Sequence, residues 1–537
     1  MEVIKKIEGL EISLKSWVIS FVSILFVRFL LESISSPAPS RMMPTDPYTL
    51  VQYGLFFLCI ALGLSCIIGF LTKKYFEAGK FVLIIFPIIW IAPILDILFS
   101  GGQTMSYIYD LPKDLFLDFF KFLTLQPVRG ITTGMQVQFI TLFLVIGYYI
   151  FVKTKKIKSV IFGLLLSYIF LFIIGSIPSL VYTLTNLQSL GENRVEITNY
   201  LNKLIIYSNI FHNTLHETAF SVSPFRFFQL GFDKLMSQIL FIFSVLLSMF
   251  FFYGATPGKF MLVVKNSRPE RIVYYLSPLL MAMGFAYYEG YGVYRHVDLL
   301  AIVCLLLSWY GMWIYSVMIN DIYDVEIDKI SNTNRPLVQT TLTVSEVESI
   351  ALIHILMALL GSWSAGFYSF FLVLVGLLVA YLYSAPPLRL RSLPIISSFL
   401  ISLVILSATL SGFYFVSFDK TIDTFPTLLI VGIIIFYTLQ INFKDIKDVA
   451  GDSRNEVGTI PSKWGNKTTA VLFAMSYILI PIFLNFYFLY IITIPFSIIG
   501  YKLVSSKIYR EGKIFILQFL FLLIISLVYV GLRSLVV

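Results

Sequence analysis

Apolar residues fall in runs of about 20, separated by short polar stretches. A helix rising 1.5 Å per residue needs that length to cross a hydrocarbon core about 30 Å thick. The pattern predicts six spans in the first half, at about 16–32, 48–71, 80–100, 135–152, 159–184 and 235–254. Nine follow in the second half, at about 272–290, 297–320, 347–364, 366–383, 392–415, 424–442, 468–486, 487–501 and 514–532. All are read as helices, because backbone exposed to lipid must satisfy its own hydrogen bonds. The expected fold is therefore an all-α polytopic membrane protein of about 15 transmembrane helices.

Composition agrees. The 537 residues are 58% hydrophobic and 17% aromatic but only 13% charged, whereas a soluble domain is about a quarter charged. A soluble enzyme, a disordered chain and a disulfide scaffold are excluded. The net charge of +9 reads as loop charge that sets topology, not as a nucleic-acid partner. In the second half the basic residues gather in alternate loops, including Lys329, Arg335, Arg389, Arg391, Lys444 and Lys447, while the other loops and the end carry Arg295, Lys420 and Arg533. The positive-inside rule then predicts a cytoplasmic N-terminus and an outer C-terminus, in the cell membrane of a prokaryote. Cys59, Cys66 and Cys304 lie in apolar runs without metal-ligand spacing and read as buried thiols. No cleavage site precedes Glu32, so the first span is expected to be retained.

A boundary is expected near 255–270, where Gly254-Ala255-Thr256-Pro257-Gly258-Lys259 interrupts the apolar pattern. It separates an N-terminal six-span membrane domain, 1–265, from a C-terminal domain, 266–537.

The chemistry concentrates in the second half. Asn320-Asp321-Ile322-Tyr323-Asp324-Val325-Glu326-Ile327-Asp328 sets Asp321, Asp324 and Asp328 at i, i+3 and i+7, one face of a continuous helix. Asp445, Asp448 and Asp452 repeat that spacing. Both clusters fall at the inner ends of spans. Neighbouring carboxylates repel, more strongly near a low-dielectric membrane, and ionisable groups there mark function. Mg²⁺ takes oxygen ligands and shares them with phosphates. Arg335, Arg389, Arg391 and Lys444 accompany the acids, and metal-bound carboxylates with Arg and Lys make a clamp for a diphosphate.

Asn-Asp-x-x-Asp-x-x-x-Asp followed by Arg335-Pro336, then Tyr383-Ser384-Ala385-Pro386-Pro387-Leu388-Arg389, then Asp445-x-x-Asp448-x-x-Gly451-Asp452, resembles the UbiA superfamily of intramembrane prenyltransferases. The resemblance covers about 268–537 and implies a nine-helix UbiA-like bundle. Gly458-Thr459 departs from the family's Gly-x-x-Thr. The Tyr-Ser-x-Pro-Pro stretch is similar to the tetrapyrrole-prenylating branch.

By resemblance, the chain transfers a prenyl group from a polyprenyl diphosphate to an aromatic or lipid acceptor, with Mg²⁺ as cofactor and membrane lipids as surroundings. Asn320, Asp324, Asp328, Asp448 and Asp452 would hold metal and diphosphate, with Asp321 and Asp445 as supporting ligands. Arg335, Arg389, Arg391 and Lys444 would neutralise the leaving group, and Tyr383 and Ser384 would line the pocket. Two alternatives remain: phosphoribosyl transfer to a polyprenyl phosphate in the same superfamily, and a non-catalytic cation-binding transporter. The acid clusters sit at span ends, whereas transporters place their sites near the midplane.

The N-terminal half carries fainter signals. His212 and His216 stand at i and i+4, a spacing that can share a metal, although two solvated loop histidines is the plainer reading. Asp96 is an isolated membrane carboxylate. Residues 1–265 are read as a module for substrate handling or partner docking.

Overall fold

The computed structural model describes residues 2–36, 46–100, 102, 106–126, 130–186, 195–217, 223–455 and 457–536. Among them no strand forms; one isolated bridge joins Gly292 to Ser417. Among the described residues fourteen helical segments are long and apolar enough to cross a membrane, one fewer than expected. The difference is the predicted span 272–290. It is a helix, Pro269–Tyr288, but Glu270, Arg271 and several tyrosines dilute its apolarity. A second expected span, 159–184, is divided. The helix Ile157–Gly175 stops at Ser176, and Ile177–Thr185 restarts with Pro178 in its first turn, since proline lacks the N–H a continuing helix needs.

The chain forms two compact units: Met1–Thr214 with Phe220–Phe260, and Met261–Val537 with Leu215–Ala219. The change falls inside the helix Pro257–Asn266.

In the first unit the long helices are Leu14–Ser35, Pro47–Thr72, Thr133–Thr154, Ile157–Gly175 and Pro224–Ala255. Asp46 caps Pro47–Thr72 by accepting from the Tyr48 and Thr49 amides at 2.8 and 3.1 Å, with proline at the first helical position, where no N–H is missed. Asp96 is buried and fully engaged. It accepts from Thr132 Oγ1 at 2.5 Å and from the Gly134 amide at 2.9 Å, which makes it a fastener for the start of Thr133–Thr154. His212 and His216 lie on the helix Asn209–Glu217. Among the described residues neither joins a group of three metal-ligating side chains.

In the second unit the helix Ile396–Val416 is buried along most of its length. It packs so closely on Pro269–Tyr288 that a Cβ on Gly412 would lie 2.0 Å from the Leu279 carbonyl oxygen. Val344–Ala365 opens with a reciprocal cap, Thr343 Oγ1 accepting from the Glu346 amide and Glu346 accepting from the Thr343 amide. Tyr274, Phe436, Phe443, Phe473, Tyr477 and Phe521 belong to an aromatic core that joins four helices around the acid-bearing segments.

Candidate active site

The two acid motifs do not lie on straight helices. Leu299–Tyr323 ends at Asp324, whose φ of −106° and ψ of 12° leave the helical region, and a short helix, Val325–Ser331, follows. The amides of Asp324 and Asp328 still donate to the carbonyls of Asn320 and Asp324, at 2.9 and 2.8 Å, so the chain bends without losing its ladder. The second motif occupies a 3₁₀ segment, Ile441–Asp448, and then Val449–Arg454. With three residues per turn, i and i+3 eclipse, which stacks Asp445 and Asp448 on one side.

These bends redistribute the carboxylates. A cavity enclosing about 1070 Å³ of empty space, part of it open, is lined by Asn320, Asp324, Asp328, Arg335, Tyr383, Ser384, Arg391, Lys444, Asp445 and Asp448. Three expected site residues do not line it. Asp321 turns to the other side of its helix, pairing with Arg268 Nη2 at 2.6 Å and accepting from Asn266 Nδ2 at 2.7 Å. Asp452 is fully buried, 3.2 Å from Arg391 and 3.3 Å from Thr459 Oγ1. Arg389 is partly exposed and reaches Asp324 Oδ1 at 2.9 Å from behind. The single helical face expected for each trio is thus broken by the bends at Asp324 and Asp448.

The motifs meet through Asn332, which the sequence reading passed over, and through Arg391, which it expected at the site. Asn332 Nδ2 donates to Asp328 Oδ1 at 2.7 Å and to Asp448 Oδ1 at 2.8 Å. Arg391, buried, pairs with Asp324 of the first motif and with Asp452 of the second. The short helices themselves touch: a Cβ on Gly451 would lie 2.5 Å from Ser331 Oγ and 2.9 Å from Ile327 Cγ2, and the Gly451 amide donates to Ser331 Oγ at 3.1 Å. Glycine is the residue that allows this approach. Asn332 had one legible signal, its place four residues after Asp328.

Arg268, Arg271 and Lys447 also line the cavity, giving it six cationic side chains, with Arg335, Arg391 and Lys444, against four carboxylates, Asp324, Asp328, Asp445 and Asp448. Glu511 holds both Arg271 and, at 3.0 Å, Lys447. Lys444 sits 2.7 Å from Asp445 Oδ1 and donates to the Tyr383 hydroxyl at 2.9 Å. Arg335 lies 4.0 Å from both Asp321 and Asp328. The Nε atoms of Arg268, Arg271, Arg335 and Arg391 are buried without a hydrogen-bond partner, donors suited to phosphate oxygens. Burial raises the Asp328 carboxyl to about 6, against the pull of Arg335. Burial likewise lowers Arg268 to about 10, against Asp321, which leaves it charged near neutrality.

The rest of the lining is largely apolar and aromatic, with Tyr274, Tyr275, Met312, Trp313, Leu400 and Phe515. Among the described residues no three acidic, histidine or cysteine side chains converge as a ready-made metal cage. The oxygen donors come as the Asp328–Asp448 pair, with Asn320, Asp324 and Asp445 lining the same cavity. Mg²⁺ commonly takes one or two carboxylates and fills its shell with water and phosphate oxygens, so this donor set fits that ion beside a phosphate-bearing ligand.

An all-helical membrane protein with a charged cavity of this kind, backed by an apolar chamber, is built to hold an amphiphile by its anionic end. Residues 275–525 match the UbiA prenyltransferase family; the match does not reach into residues 1–274. The chain is 32% identical over 190 residues to digeranylgeranylglyceryl phosphate synthase of Sulfurisphaera tokodaii, covering 33% of this chain and 65% of that protein. It is 31% identical to the Sulfolobus acidocaldarius protein of the same name, covering 29% and 54%. The chain therefore spans between about half and two thirds of the length of these relatives. A UbiA homologue from Archaeoglobus fulgidus, solved with GPP and Mg²⁺, is 19% identical, with a TM-score of 0.40 over 49% of this chain and 96% of that one.

Proposed function

We propose that the C-terminal half transfers a prenyl group from a polyprenyl diphosphate to a lipid phosphate acceptor, with Mg²⁺ held at the paired motifs. The observation that carries this reading is Asn332, whose one amide nitrogen donates to both Asp328 and Asp448 and so joins the two acid segments at a cavity rich in cations. Asp328 and Asp448, with Asn320, Asp324 and Asp445 around them, would hold the ion. Bound there, Mg²⁺ would neutralise charge developing on the departing diphosphate. Arg335, Arg391 and Lys444 bind and orient the same group. Asp321, Asp452 and Arg389 act one layer out, through Arg268, Arg391 and Asp324.

In the reaction the C1–O bond of the prenyl diphosphate breaks and its electron pair leaves with the diphosphate. An acceptor hydroxyl oxygen bonds to C1 and releases its proton. The apolar wall keeps water from the allylic carbon, where it would compete with the acceptor, and seats the prenyl tail.

Four lining arginines, Arg268, Arg271, Arg335 and Arg391, keep a buried Nε without a hydrogen-bond partner, which supports a phosphate-bearing acceptor beside the diphosphate. The Sulfurisphaera and Sulfolobus relatives are named for a glyceryl phosphate lipid, which supports the same class. By the positive-inside rule, the basic residues beside both acid motifs support a cytoplasmic position for this chemistry. We assign residues 1–265 a separate membrane module and 266–537 the transferase.

The test is incubation of the purified full chain with radiolabelled geranylgeranyl diphosphate, Mg²⁺ and either a prenylated glyceryl phosphate or homogentisate. Labelled lipid phosphate is the expected product. Labelled homogentisate alone would move the acceptor to the aromatic class, and no transfer to either would sink the reading. A requirement for a water-soluble phosphoribosyl donor would favour the alternative transfer.

A further inference from the structure

The first unit has a chamber of its own. It holds about 690 Å³ of empty space, part of it open. Leu14–Ser35, Pro47–Thr72, Thr133–Thr154, Ile157–Gly175 and the loop at 106–108 build it, with Phe122 and Ile131 from the stretch before Thr133–Thr154. Most of the wall is apolar. Phe122 stacks on Phe139 at 4.7 Å, and Phe56 meets Tyr107 edge-on at 5.6 Å. Leu171 closes one side.

A few polar groups interrupt this wall, and their bonding states what they could bind. Arg28 is buried but already neutralised: it pairs with Glu32 at 2.6 Å and donates to the Ile89 carbonyl at 2.8 Å. Its charge is spoken for, so an anionic head group has no open cation here. Gln138 is 8% exposed, lines the chamber, and its Oε1 is buried without a hydrogen-bond partner. A buried amide oxygen left in this state costs on the order of 1–3 kcal/mol; a donor from a ligand would relieve it. The Tyr107 hydroxyl, on the same wall, accepts from Gln52 Nε2, which leaves its hydrogen for an acceptor. Ser106 and Tyr53 also line the chamber, and the Ser106 hydroxyl donates to the Tyr107 carbonyl at 3.2 Å; the Gln138 acceptor and the Tyr107 donor match a hydroxyl, which both gives and takes one bond.

We propose that this chamber binds an uncharged lipid alcohol, its hydroxyl between Gln138 and Tyr107 and its chain against the phenylalanines. The site is separate from the UbiA-family cavity and does not depend on the reaction assigned there.

The test uses the full chain in detergent with tritiated geranylgeraniol, in the presence of excess geranylgeranyl diphosphate and Mg²⁺ to fill the other cavity. Saturable binding is expected. Gln138→Leu, similar in shape without the amide, should weaken it about five- to tenfold, and Leu171→Trp, which fills the space, should abolish it. Competition by hexadecanol would mean that any lipid alcohol serves, and its failure would mean that the isoprenoid chain is read; either result keeps the site. A benzophenone derivative of geranylgeraniol should label peptides from Thr133–Thr154, mapped by mass spectrometry, and this arm needs no variant to fold. Absence of saturable binding, affinity unchanged in both variants, or label confined to residues 261–537 would overturn the proposal.

Discussion

Asp328 and Asp448 accept hydrogen bonds from the same nitrogen, Asn332 Nδ2, at 2.7 and 2.8 Å. Two carboxylates brought this close repel. One neutral amide divides that repulsion between two bonds but adds no positive charge. A divalent cation would add it, and the predictions that follow turn on this pair and its supports.

Asp448→Asn keeps the size of the side chain and removes its charge. Transfer from prenyl diphosphate should fall by at least about 10²-fold in kcat/KM, with the folding midpoint close to that of the parent. Asp328→Asn should behave alike. Near-parental transfer in either variant, measured with saturating Mg²⁺, would count against their role.

Asn332→Leu removes the shared donor without touching a proposed ligand. Supporting residues of this sort typically cost about 10–100-fold in metal affinity or activity. The loss should appear mainly as a higher Mg²⁺ requirement, read from a titration of rate against Mg²⁺, with much of the rate recovered at high metal.

Gly451→Val places carbon where Ser331 Oγ and Ile327 Cγ2 already lie, 2.5 and 2.9 Å from the first added atom. Overpacking of this kind costs about 1–3 kcal/mol. The variant should melt at a lower temperature and lose transfer activity together, because the clash separates the two short helices that carry Asp328 and Asp448. Gly451→Ala should be milder on both measures.

Arg391→Met leaves Asp324 and Asp452 buried without their common partner. Stripping one side from a buried ion pair costs about 3–5 kcal/mol, so a large drop in the melting midpoint is expected. Arg391→Lys should rescue only part of it, since an ammonium cannot present two parallel donors to two carboxylates.

Burial holds the Asp328 carboxyl near 6 in the metal-free protein. Its folded value lies above the unfolded one, so this group stabilises the fold below the ordinary carboxylate range, and that contribution is lost as pH rises through 6. Mg²⁺ needs the ionised form. Apparent Mg²⁺ affinity should therefore climb between pH 5 and 7 and level off above, while Asp328→Asn flattens the climb. Calorimetric titration at several pH values measures both.

Much of the fold is written in the apolar runs, since a lipid-facing backbone has few options. The division at Ser176 could have been read from Pro178. The helix Pro269–Tyr288 was legible as a helix, but its charged first turn and tyrosines set it apart from the other spans. At the site, residue types and spacing brought out Asp324, Asp328, Asp445 and Asp448, all of which line one cavity. Spacing alone could not orient Asp321 or Asp452. Their directions depend on the bend at Asp324 and the 3₁₀ turn at Ile441–Asp448, which hydrophobic periodicity does not encode. Asn266, Arg268 and Asn332 were hidden for another reason: each acts through a partner far away in the chain.

Glu511 opens the last helix, Glu511–Val536, and grips both Arg271, near the start of the C-terminal unit, and Lys447, from its middle. The charge ring around the cavity is therefore tied from outside by one carboxylate on a helix distant in the chain, so a single change at Glu511 would loosen two cations at once.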